Sequence, residues 1–190
     1  MLKHLRPTLV LLAAFTLLLG VVYPLALTGV GQSLFKEQAN GSPIRRDGVV
    51  VGSHLIGQQF TRPEYFWGRP SAAGKGYDGR SSSGSNLGPS SQALVDRIKA
   101  EAERLGQPAG EVPADLLTAS ASGLDPHISP AGARFQIARV AAARGLTEDV
   151  VARLVDEAIK TPSLGFLGEE RVNVLELNLA LDDLSRTRTK

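Results

Sequence analysis

From Thr8 to Val30 the chain reads TLVLLAAFTLLLGVVYPLALTGV, 23 positions without one charged side chain. Wound into an α-helix at 1.5 Å per residue, such a run covers about 34 Å, enough for a hydrocarbon core of about 30 Å. A cleaved signal peptide needs a shorter apolar core and a small-x-small site. This run is longer and ends in LALTGVGQS, so the expectation is an uncleaved membrane anchor. Pro7 suits the first helical turn, where a missing donor costs nothing, and Pro24 is expected to kink the last turn and a half. Thr16, Gly20 and Pro24 recur at four-residue intervals, a face of small residues suited to a neighbouring helix.

Charge does not orient the anchor, because Lys3 and Arg6 on one side face Lys36, Arg45 and Arg46 on the other. Long soluble domains cross a membrane regardless of loop charge. The expected organisation is thus a short cytoplasmic N-terminus (1–7), the transmembrane helix (8–30), a spacer (31–47) and one extracytoplasmic soluble domain (48–190). With 43% hydrophobic residues in a chain of 190, that domain has the composition of a globular fold. There is no cysteine, which excludes a disulfide framework, a thiolate nucleophile and a Cys-type zinc site. Setting Lys3 and Arg6 aside leaves 19 basic residues against 19 acidic ones. A neutral, aromatic-poor domain without a basic stripe argues against nucleic acid as a partner.

Val49 to Val51 reads as a short buried strand. The run RPEYFWGRPSAAGKGYDGRSSSGSNLGPS, from Arg62 to Ser90, is dense in Gly, Pro and Ser yet carries Tyr65, Phe66, Trp67 and Tyr77. Those aromatic side chains argue for order, and a long ordered loop is usually a functional one. Three helices are expected beyond it. Ser90 or Ser91 caps the first, with Leu94, Ile98, Ala102 and Leu105 on one face and Gly106 at its end. Ser129 and Pro130 open the second, with Phe135, Ala138 and Ala142 in register and Gly145 closing it. Thr147 caps the third, whose apolar stripe is Val151, Leu154, Val155, Ala158 and Ile159. Ala114 to Ser120 reads as a strand, and RVNVLELNLALDDL as a strand that turns into a helix. The fold class is α+β: the anchor helix, then one mixed α/β domain with helices packed on a small sheet.

Tests for chemistry mostly fail. A phosphate loop needs four residues between its glycines and then Lys with Ser or Thr; Gly68 and Gly74 have five between them, and Gly76 follows Lys75. A nucleophile elbow needs Ser at its centre, where Gly84 to Gly88 place Asn86. Asp125, His127 and Ser129 crowd into LDPHISP and resemble a triad or a metal site, but the flanking prolines favour a turn followed by a helix cap. The three histidines do not assemble a zinc site by spacing, so no metal or cofactor is expected. SSGSN, with Ser83, Gly84, Ser85 and Asn86, reads as a shaped polar loop suited to a contact surface.

Several long blocks are specific. GQQF, RPEYFWGRPSA, YDGRSSSGSNLGPS, LLTASASGLDPHISPAGARFQIARVAAARG and GFLGEERVNVLELNLALD closely resemble the C-subunit family of the bacterial Kdp potassium-transporting P-type ATPases. The resemblance covers the anchor and almost all of the soluble domain. It implies a single-span accessory subunit in the cytoplasmic (inner) membrane, with its domain outside. The implied partners are a potassium-conducting channel-like subunit, a P-type ATPase subunit and a very small hydrophobic subunit. It also implies a catalytic chaperone that stabilises assembly and raises the pump's affinity for ATP, which the complex uses. The matching motifs, Ser82 to Pro89 and Ala121 to Pro130, are carried over as structural and contact elements only. The chain has no DKTGT phosphorylation sequence and no TVGYG-like filter, so hydrolysis and conduction are expected in its partners. Two other readings stay open on the residues alone: a membrane-anchored serine hydrolase using Ser129, His127 and Asp125, and a binding domain for a small anionic ligand at Ser83 to Asn86.

Overall fold

The computed structural model describes residues 2–188, which divide into two compact units, one ending at Val51 and the other beginning at Gly52. The first unit is dominated by a helix. It comprises α1 (Leu2–Leu17), a π-helical turn (Leu18–Val22) and α2 (Tyr23–Leu34). Lys3–Leu34 is the one helix among the described residues long and apolar enough to cross a membrane, with a mean hydropathy of 2.4 over its most apolar window. Pro24 takes effect before its own position. It has no N–H for the Gly20 carbonyl, and its ring would collide with that group; the widened turn just ahead relieves the conflict.

The segment expected as a spacer is largely structured. The helix runs past Val30 to Leu34, and a helical turn, α3 (Lys36–Ala39), follows. Then β1 (Pro43–Arg46) pairs with β2 (Val49–Ser53). Asp47 and Gly48 join them with φ of +52° and +80°, the two left-handed residues of a tight hairpin turn. The expected strand at Val49 to Val51 is present but not buried: Val49 and Val50 are exposed.

In the second unit, helices pack on a small sheet, as expected. Its strands are β3 (His127–Ile128), β4 (Ile159–Lys160) and β5 (Arg171–Asn173), ordered β3-β5-β4 and antiparallel throughout. Val172 lies between Ile128 and Ile159 and is fully buried. Around it are α4 (Gln92–Leu105), α5 (Pro130–Phe135), α6 (Ile137–Arg144), α7 (Glu148–Ala158) and α8 (Val174–Arg188). Helix α7 packs on α5, α6 and α8, and α5, α7 and α8 all touch β5. The core gathers Phe66, Leu116, Val140, Val151, Val155, Leu177 and Leu181.

Helix α4 turns the expected face inward, and α7 does so as far as Ala158; Ile159, expected on the same helical stripe, is extended and begins β4. Two further expectations are corrected. Ala114 to Ser120 is not a strand but a 3-10 turn (Ala114–Leu116) running into irregular chain. Pro113 precedes it, and Thr118 caps the turn by donating from Oγ1 to the Ala114 carbonyl at 2.7 Å. The second expected helix is broken at Gln136 (φ −91°, ψ −5°) into α5 and α6. The break rotates the buried face to Ala133, Val140 and Ala141, leaving Ala138 and Ala142 exposed. As expected, RVNVLELNLALDDL starts as a strand and continues as a helix: β5 ends at Asn173, and the leucines from Leu175 onward lie in α8, whose buried side chains include Val174, Leu177, Asn178 and Leu181.

Candidate functional site

The long loop from Arg62 is held by buried amides. Phe66 N–H donates to Asn178 Oδ1 at 2.8 Å, and Asn178 Nδ2 donates back to Phe66 O at 3.0 Å. Gln136 repeats the pattern on the next residue, accepting from Trp67 N–H at 2.8 Å and donating to Trp67 O at 3.1 Å. Each amide thus takes the place of a strand partner, satisfying backbone that has no ladder. Arginines complete the hold. Arg139 donates to the carbonyls of Pro63 and Tyr65, and Arg144 to those of Glu64 and Leu181 while pairing with Asp182 at 2.8 Å. Arg104 and Arg139 lie 4.4 and 3.8 Å from the Trp67 ring centre, at cation–π distance.

The loop then folds back on the segment from Ser120 to Gly123. Ser83 N–H and Ser82 Oγ both donate to Ser122 O at 2.9 Å. Ser71 Oγ donates to Gly123 O at 2.6 Å and accepts from Tyr77 N–H at 2.7 Å. Gly123 has φ of +66°, and a Cβ there would stand 2.6 Å from Ala73 N and Ser83 O. Gly84 is similarly close to Ala121 O, at 2.9 Å from its would-be Cβ. Asn86 is left-handed at φ +52° and exposed, while Ser85 is half-buried. The two motifs singled out in the sequence, Ser82 to Pro89 and Ala121 to Pro130, therefore brace one another.

Asp125, His127 and Ser129 are close together but are not arranged as a triad. Asp125 Oδ1 accepts from His127 N–H at 2.9 Å and lies 3.3 Å from its Nδ1, and Oδ2 lies 3.5 Å from Arg69 Nη1. Burial would raise the Asp125 carboxyl, but the hydrogen bonds from His127 and the charges of His127 and Arg69 outweigh it and hold the group below its ordinary value. Ser129 Oγ accepts from Gly132 N–H at 2.9 Å and so caps α5. Its own N–H donates to Asp115 Oδ2 at 2.7 Å. Among the described residues no hydrogen bond links His127 to Ser129, whose Oγ is engaged at the start of α5 instead. Nor do three His, Asp or Glu side chains among them converge on a metal position.

Sequence reasoning missed Gln136, Asn178, Arg139 and Arg144. The available signal was a lone amide inside each apolar face, Gln136 between Phe135 and Ile137 and Asn178 beside Leu177. It also missed His54, whose Nδ1 is 2.6 Å from Glu176 Oε1, with Lys160 Nζ 2.6 Å from Oε2. Burial would raise Glu176, but these two partners hold it below its ordinary range. Of the anchor residues, Thr16, Gly20 and Pro24 are all exposed, and Gly20 falls inside the π-helical turn. That turn offsets it from the straight four-residue line.

One apolar helix and one mixed α/β unit with internally braced polar loops define a class: a membrane-anchored chain bearing a single folded unit. Comparison with known proteins narrows the class. Residues 5–183 match the family model described as KdpC, K+-transporting ATPase, c chain. The potassium-transporting ATPase KdpC subunit of Caulobacter vibrioides is 60% identical over 185 residues, covering 96% of this chain and 94% of the relative. The KdpC subunits of Rhodospirillum rubrum and Gemmatimonas aurantiaca are 59% and 56% identical, covering 96% and 98% of this chain and 97% and 96% of theirs. The chain belongs to the KdpC family, the c chains of K+-transporting ATPases.

Proposed function

We propose that this chain is a non-catalytic accessory subunit of a high-affinity, ATP-driven potassium uptake complex in the bacterial inner membrane. The family match carries the proposal, because it runs from residue 5 to residue 183 and so takes in the apolar helix and the folded unit together. The Ser129 hydroxyl, engaged as a helix cap, supports a role in contact rather than turnover. Residues 1–7 lie in the cytoplasm, 8–30 span the bilayer, 31–47 connect, and 48–190 lie outside. The partners are a potassium-conducting channel-like subunit, a P-type ATPase subunit and a very small hydrophobic subunit. Thr16, Gly20 and Pro24 pack against their helices, and the loops at Ser83 to Asn86 and Asp125 to Ser129 belong to the contact surface.

In this reading the subunit stabilises assembly and acts as a catalytic chaperone that raises the pump's affinity for ATP. A unit outside a hydrocarbon layer of about 30 Å cannot touch a cytoplasmic nucleotide. The effect is therefore transmitted through helix packing, as a coupling of about 1–3 kcal/mol, or roughly 5- to 150-fold in nucleotide affinity. Extraction in mild detergent should recover the chain bound to larger polytopic proteins, and deleting it should abolish growth at limiting potassium. Recovery as a free monomer, with uptake intact after deletion, overturns the proposal. Trypsin added to sealed right-side-out vesicles should degrade the folded unit; degradation only in inverted vesicles reverses the orientation.

A further inference from the structure

The second unit contains a cleft of about 280 Å3 walled by Trp67 and Tyr77. Its cationic lining is Arg69, Lys75, Arg97 and Arg104, with Glu101 as the one carboxylate. From Gly31 onward the chain carries equal numbers of basic and acidic residues, so four cations against one anion in a single cleft depart from the molecule's own balance. Facing like charges costs free energy unless an anion joins them.

The donors in the cleft are incompletely used. Arg104 directs Nε to Glu101 at 2.7 Å, with its guanidinium against Trp67, and its Nη groups meet no protein acceptor among the described residues. Arg69 makes only long contacts, 3.4 Å to Thr118 O and 3.5 Å to Asp125 Oδ2. Lys75 is exposed and Arg97 half-exposed; among the described residues neither has a hydrogen-bond or ion-pair partner. Tyr77 ties the chain on either side of Lys75 together. Tyr77 Oη donates to Arg69 O at 2.6 Å, and Gly68 admits the ring edge so closely that a Cβ there would lie 2.7 Å from Oη. Burial first, then the Asp125 charge, push the Tyr77 hydroxyl up to about 12, so the phenol adds no negative charge to the cleft. Beside Trp67, burial first and then repulsion from Arg104 draw Arg139 down to about 10.

We propose that this cleft is a binding site for a phosphoryl oxyanion. Several guanidinium and ammonium donors converging on one small space suit a tetrahedral group with several acceptor oxygens. The apolar flank of Phe60, Trp67 and Pro70 suits a short organic substituent on it. The site stands on its own lining and does not depend on the proposed place of the chain in a pump. Two sources supply this chemistry, free phosphate and the phosphodiester headgroup of a lipid.

Trp67 is the only tryptophan, so its emission reports the cleft directly. The full chain in neutral detergent should show a saturable change on addition of inorganic phosphate, half-complete below about 1 mM, with sodium chloride at matched ionic strength as the control. In nanodiscs the same signal should distinguish phosphatidylglycerol from phosphatidylcholine if the source is lipid. The double variant Lys75→Gln, Arg97→Gln removes two cations without internal partners. It should weaken the response at least tenfold while leaving the denaturant midpoint where it was. A response to phosphate alone, to the anionic lipid alone or to both, lost in the variant, supports the site and names its source. No response to either probe, or one that the variant and chloride reproduce, overturns it.

Discussion

Gln136 and Asn178 are neutral, fully enclosed and hydrogen-bonded at both ends to the backbone of Trp67 and Phe66. Replacing Gln136 by Leu keeps most of the volume but leaves a buried N–H and a buried carbonyl without partners, at about 1–3 kcal/mol each. Urea unfolding followed by Trp67 emission should show that loss as a lower midpoint. Tyr77 gives a prediction in pH. Its folded pKa, raised to about 12 chiefly by burial, exceeds the ordinary value of 10.0, so the protonated phenol is favoured by the fold. Its contribution to stability is whole below pH 10 and is lost as pH rises from 10 toward 12. Phenolate absorbance of the wild type should contain a late component that Tyr77→Phe removes. The legibility of these residues followed distance along the chain. The Ser129 cap could be read because its partner, Gly132, is three residues away. The amides could not, because their partners are 69 and 112 residues away, and a Gln among apolar neighbours looks like a surface residue until the loop is laid over it.

Among the elements, α4 was readable because it keeps one apolar stripe between a capping position and a glycine stop. Helix α7 was readable from its start but not at its end, where Ile159 passes into a strand without a breaker. The helix from Pro130 was readable at its two ends, the Ser129 cap and the left-handed stop at Gly145. Its periodicity assumed an unbroken rod, and the turn at Gln136 moved the face that is buried. Ala114 to Ser120 misled because a short apolar run does not distinguish a strand from a 3-10 turn. The mutual bracing of the two serine-rich segments was invisible for a further reason: it depends on backbone atoms that every sequence has. Gly123 is the point where that bracing is tightest. Gly123→Ala would combine an unfavourable φ with a Cβ 2.6 Å from two backbone atoms. The expected outcome is a loss of at least about 2 kcal/mol and faster amide exchange at Ser83, whose N–H bonds to Ser122 O. Unchanged exchange at that amide would mean the two segments are held together elsewhere.

At the scale of the whole molecule, the apolar helix and its neutral companion unit were legible from charge and length alone, since a run without ionised groups leaves few alternatives. What composition concealed was that two stretches with similar loop chemistry have opposite mechanical roles. The chain from Arg62 to Tyr77 is anchored in the interior through Phe66, Trp67 and Ala73, with Phe66 fully enclosed and Trp67 nearly so. The arm from Thr161 to Glu170 is solvent-facing almost throughout, with Leu164 and Phe166 82% and 74% exposed. A four-residue Gly-Ser insertion after Gly165 should therefore leave the denaturant midpoint unchanged, whereas the same insertion after Gly68 should prevent folding; soluble yield and circular dichroism would tell them apart. The double-amide grip on Phe66 and Trp67 fixes chain length there to the residue. Natural relatives and engineered derivatives alike should accumulate indels, epitope tags and labelling sites on the projecting arm and none between the two aromatic residues that the amides hold.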